Sequence, residues 1–152
     1  MSALTLVVRL LFGLAFTVFG LNGVLMTFGK AFMPPPPEMP AAAAAFFQAM
    51  TDSGYLMPLI GATQLISGLL ILGGACVPLG LTLLAPVVVN IVLYHHVIDP
   101  AGLGIAYVVL VLELFLAYAY GPAFRGVLGA GAKPRWSRAG TGTAAGARKG
   151  SP

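Results

Sequence analysis

The chain has 152 residues, 59% of them apolar and only 8% charged, with a mean hydropathy of +0.95. Soluble domains carry about 25% charged residues, so a fold that covers a water-facing surface with polar groups is excluded. The formal net charge is +4, but six of the eight basic residues (Arg125, Lys133, Arg135, Arg138, Arg148 and Lys149) follow the last apolar run, and no nucleic-acid surface is implied.

The first apolar run covers 4–28, LTLVVRLLFGLAFTVFGLNGVLMTF. It exceeds the h-region of a secretory signal, about 7–15 residues, and is expected to be a retained membrane span. Arg9 falls in its first turns, where its stem can follow lipid and its guanidinium can reach headgroups. The stretch Pro34 to Pro40, PPPPEMP, must be extended, because proline lacks an N–H and biases its predecessor away from helix. Residues 41–52 then form a strong helical segment between Pro40 and Ser53-Gly54. It is too short to cross a bilayer. The expectation is an interfacial helix in the first outer loop, with Phe46, Phe47 and Met50 turned inward.

A second run spans 55–76, and Gly73-Gly74 with Pro78 marks a tight turn into a third at 78–98. Asp99-Pro100 separates that from a fourth at 101–120. Each run meets the requirement of about 20 apolar residues. Beyond them, residues 126–152 are rich in Gly, Ala and Arg without apolar periodicity, and are expected to be a disordered basic tail. The fold class is therefore all-α: an integral membrane four-helix bundle over 1–125, followed by the tail. Positive charge favours the cytoplasmic side, which places the tail and, with four spans, both termini there. The single cysteine, Cys76, excludes an intrachain disulfide and self-contained dithiol chemistry. It reads as a small apolar filler.

Polar residues inside the runs are where chemistry is to be sought. By helical rise, Gln64 and Asn90 share one depth in the outer half, His95 and His96 sit at the outer surface, Asn22 lies near the outer end of its run, and Glu113 lies near the midplane. Gln64 shares a face with Gly61, Ser67 and Gly68, and Glu113 shares one with Ala106, Ala117 and Tyr120. Such small-residue faces allow close helix approach, so both polar groups are expected to point into the bundle. Pro86, Asn90 and Tyr94 lie on one face of the third run, where Pro86 frees the Thr82 carbonyl for Thr82 itself or a neighbouring helix. A carboxyl at the Glu113 depth costs about 2.5–3.5 kcal/mol on insertion scales, so it is expected to be protonated or paired with Tyr or His. The plainer reading of the amides is interhelical glue, worth about 0.6 kcal/mol each. His95 and His96 diverge by about 100° and make a poor haem or metal site, with no further His and no partner Cys. No metal is assigned.

Several stretches carry a family resemblance: VVRLLFGLAFTVFGLNGVL, SGYLMPLIGATQLISGLLILGG, LAPVVVNIVLYHHVIDP and LELFLAYAY. Together, over about 6–124, they resemble the DoxX family of small bacterial membrane proteins. The most specific parts are Arg9, Gly13, Phe16 and Gly20 in the first run and Gly61, Gln64 and Gly68 in the second. Many members carry Glu at the place of Gln64 and a basic residue near Gly23. Both titratable groups are missing here. The resemblance implies a bacterial inner-membrane protein tied to redox physiology, acting as a non-autonomous subunit beside a redox protein partner or as a homo-oligomer. A quinone headgroup near Gln64, Asn90, His95 and Glu113 is the candidate cofactor. The alternative is a structural or assembly protein whose polar groups only pack helices.

Overall fold

The structure is a computed structural model that describes residues 2–34 and 39–128, the side chains of 125–128 excepted. Among the described residues four helical stretches are long and apolar enough to cross a membrane: α1 (Ala3–Thr27), α3 (Leu56–Gly73), α4 (Val77–Val97), and Pro100–Ala119, which ends in α5 (Leu103–Ala119). A short α2 (Ala41–Asp52) interrupts the first connection, and a 3-10 turn, Pro100–Gly102, leads into α5. These bounds agree with the apolar runs to within a few residues. Of the extended proline stretch, residues 35–38 lie outside the described residues, while Pro40 has φ −50° and ψ 145°, the expected polyproline form.

Local chemistry sets the helix ends. Ser2 caps α1 by accepting a hydrogen bond from the Thr5 amide at 3.2 Å. Gly74 ends α3 in the left-handed region at φ +76°, a conformation that favours glycine, and Pro78 then sits inside the first turn of α4. Pro86 lies within α4 without ending it. Thr82 turns its hydroxyl to the Pro78 carbonyl at 2.8 Å and does not satisfy the carbonyl that Pro86 releases.

Consecutive long helices pack antiparallel: α1 against α3, α3 against α4, and α4 against α5. Contact between α1 and α5 closes the ring. The α1–α3 seam is the tightest. A Cβ on Gly68 would lie 2.5 Å from the Thr17 amide nitrogen, and one on Gly61 would lie 2.8 Å from that of Val24. Gly20 is pressed in the same way onto the backbone of Gln64 and Leu65. Without side chains between them the two backbones touch, and dispersion replaces the hydrophobic force that lipid cannot supply. Buried residues begin at Thr5 and end at Gly20 in α1, and run from Gly61 to Ile71 in α3, from Val77 to Val88 in α4, and from Ala106 to Leu116 in α5. Packing is therefore closed at the end carrying Arg9 and looser at the end carrying His95.

The helix α2 presents Ala43, fully buried, with Phe46, Phe47 and Met50 half-buried on the same face. The chain divides after Gly121 into two compact units. Most of the last helix, α6 (Gly121–Leu128), belongs to the second unit, so helix covers the first residues of the expected tail. The remainder of that tail lies outside the described residues.

Replacing Gly68 with Val would force α1 and α3 apart, a strain of about 1–3 kcal/mol by overpacking values. The expected result is a clearly lower melting temperature in detergent. Gly104→Ala is the control, because a Cβ there meets nothing within 4 Å; it should leave stability unchanged or raise it.

Candidate functional site

Glu113 occupies the inward face of α5 with Ala106 and Leu116. It is 6% exposed, and its Oε1 has no hydrogen-bond partner among the described residues. The expectation of an inward-facing carboxyl holds. The expected pairing with Tyr or His is not what this oxygen shows. Ser67 is fully buried as well, its Oγ likewise without a partner. Ser67 precedes the end of α3 at Gly73 by six residues, and Glu113 precedes the end of α5 at Ala119 by six. Both helices run toward the Arg9 end, so the two groups share one level.

Gln64 lies one turn nearer the His95 end, between Gly61 and Gly68 on a face that touches α1. It is half-buried, unlike Ser67 beneath it. His95 is seven residues beyond Val88 and therefore continues the buried stripe of α4, since seven residues make nearly two turns. Its Nδ1 lies 2.9 Å from the Asp99 carbonyl oxygen. A carbonyl only accepts, so Nδ1 is the donor in this contact. The ring packs on Gly102, where there is no side chain, and against the edge of Tyr94 at 4.9 Å between centroids. Tyr94 in turn meets Phe46 of α2 at 5.7 Å, which ties the short helix to this end of the bundle. The Asp99 carboxylate approaches His95 to 3.8 Å, too far for a hydrogen bond.

Asn90 does not join this group. It is exposed, because it sits two residues beyond buried Val88 and hence about 200° around the helix. Pro86, on the same face, is exposed too. Depth alone suggested a shared site with Gln64; helical phase separates them. His96 is also exposed. The structure thus brings Gln64, His95 and Glu113 to the inner side of the bundle and leaves Asn90 on the outer side.

Two polar residues take roles that spacing did not disclose. Asn22 accepts hydrogen bonds at Oδ1 from the amides of Phe32 (3.0 Å) and Met33 (2.9 Å), so it holds the first connection back onto α1. Arg9 is half-buried with its guanidinium packed on Gly74, and its Nε is buried without a hydrogen-bond partner. It was expected to reach for headgroups. The bare turn at Gly74 offers it room, and the C-terminal end of α3 attracts a cation.

No family model, no curated protein and no solved structure matches this chain. The site is therefore read from its own chemistry.

Asn22→Ala removes the acceptor of two amides, each hydrogen bond being worth about 0.5–1.5 kcal/mol. Hydrogen exchange at Phe32 and Met33 should accelerate by roughly tenfold, while exchange in the middle of α4 stays as it was.

Proposed function

We propose that this chain is a membrane subunit of a redox system, with a quinone-type headgroup held between its helices from the His95 end. The observation that carries the reading is the inward set of Gln64, His95 and Glu113, with the Glu113 Oε1 buried and unpartnered. A quinone offers two carbonyl acceptors and its reduced form two hydroxyl donors. The Gln64 amide can serve either form, since it both donates and accepts. His95 spends Nδ1 on the Asp99 carbonyl and leaves Nε2 for the headgroup. The half-buried apolar walls around Gln64 suit an isoprenoid tail. When bound, the quinone would supply the electron-carrying chemistry; the chain's own residues orient the ring and exclude water from its deep edge.

The surroundings of the site belong to the same reading. The basic tail favours both termini in the cytoplasm, and the DoxX resemblance implies a bacterial inner membrane. The His95 end then faces outward, with α2 resting on the outer surface of the bilayer. The motif resemblance to DoxX proteins supports the redox association. The competing reading, an assembly protein whose polar groups only pack helices, draws its support from Asn22, whose side chain tethers a loop.

The test starts with protein purified in mild detergent and extracted for quinone, followed by titration with a short-chain quinone. Quinone should co-extract, and Gln64→Ala and Glu113→Gln should each weaken binding by roughly threefold to tenfold, the worth of one hydrogen bond. Asn90→Ala should leave affinity unchanged. If no quinone is extracted or bound, and the same variants only lower the melting temperature, the assembly reading takes its place.

A further inference from the structure

The outer face of α4 carries a pattern that the inward site does not use. Leu79, Leu83, Pro86, Asn90, Leu93 and Val97 are all exposed. Their spacings are four, three, four, three and four, which is a heptad seam with Leu83, Asn90 and Val97 at a positions and Leu79, Pro86 and Leu93 at d. The stripe lies opposite the one buried in the bundle, so none of the described residues covers it.

Asn90 is what distinguishes this stripe from an ordinary lipid-facing one. It lies seven residues inside the end of α4 at Val97, about 10 Å along the axis, well within hydrocarbon. Its carboxamide has no hydrogen bond among the described residues. Other exposed hydroxyls on the outer faces are satisfied within their own helices: Thr63 donates to the Leu59 carbonyl at 2.8 Å and Thr82 to that of Pro78 at 2.8 Å. The Asn90 amide makes no such local bond and would meet only acyl chains, where an unmade hydrogen bond is costly.

We infer that α4 forms a parallel, two-fold contact with α4 of a second copy of this chain, centred on Asn90. The amide itself selects that occupant. It holds one acceptor and two donors, so two copies satisfy each other, with Nδ2 of each donating to Oδ1 of the other. Copies inserted in the same sense share their orientation, so a two-fold axis must run along the membrane normal. Equivalent residues of the two α4 helices then meet across that axis, as a heptad seam requires. A single polar a position flanked by Leu and Val sets register and favours two strands. The contact stands on a different face from the inward site and does not depend on what that site binds.

The sole cysteine makes the test direct. In a Cys76→Ser background, Leu83→Cys and Val97→Cys are introduced singly with Asn90 retained, and native membranes are oxidised and run on a non-reducing gel. Both should yield a covalent dimer of this chain, while Val111→Cys, on the outer face of α5 and 61% exposed, should not. Adding Asn90→Leu to Leu83→Cys should weaken self-association by roughly threefold to thirtyfold and lower the dimer yield, and Asn90→Gln should preserve more of it. Asn90→Leu places an apolar group toward lipid, so folding should persist, and a melting curve checks that. Leu83→Cys yields no greater than those of Val111→Cys, yields indifferent to Asn90→Leu, or cross-linking to a different protein would each overturn the inference.

Discussion

Backbone meets backbone where α1 crosses α3, because Gly20, Gly61 and Gly68 leave no side chain between the two helices. In lipid there is no hydrophobic force to draw helices together, so the area of close contact decides which pairs hold. This seam fixes the rotation of α3. Once Gly61 and Gly68 lie against α1, Ser67 and Ile71 must turn to α4 and the interior, and Gln64 is held on the inner side. The glycines thus act on the candidate site without touching a ligand. They set the direction in which its amide points.

A second constraint is the unequal packing along the bundle. Toward the Arg9 end the core is filled by Phe12, Phe16, Ile71, Leu81, Leu84 and Leu116, and the Gly74 turn is covered by Arg9. Toward the His95 end Gln64 and His95 are half-buried, while Gly61, Val88 and Ala106 stay buried. Polar groups on the inner side descend from His95 through Gln64 to a carboxyl with an unpartnered oxygen.

Much of the fold was legible in the sequence because membrane spans are written in length and hydropathy. The runs at 4–28 and 78–98 fall within one residue of α1 and α4, and Gly74 and Pro78 mark a turn through backbone rules that hold in any solvent. The inward direction of Gln64 and Glu113 was legible too, through the small residues beside them. Asn90 was not. In α4 the buried stripe (Val77, Leu81, Leu84, Val88) and the exposed stripe (Leu79, Leu83, Val89, Leu93) use the same residue types, because lipid and protein interior are equally apolar. Composition therefore carries no sign of which side is in. The same indifference hid the difference between His95 and His96. The role of Asn22 depended on a connection whose path no periodicity describes.

The most direct test of this account asks which environment each face of α3 meets. In a Cys76→Ser background, Gln64→Cys, Ile66→Cys and Ser67→Cys are reacted in membranes with a hydrophilic maleimide and with a lipid-soluble one. The account predicts that the hydrophilic reagent modifies Gln64→Cys alone, that Ile66→Cys reacts only with the lipid-soluble reagent, and that Ser67→Cys resists both. Gln64→Cys behaving like Ile66→Cys would mean that the glycine seam does not turn this face inward, and the account would fail at its base.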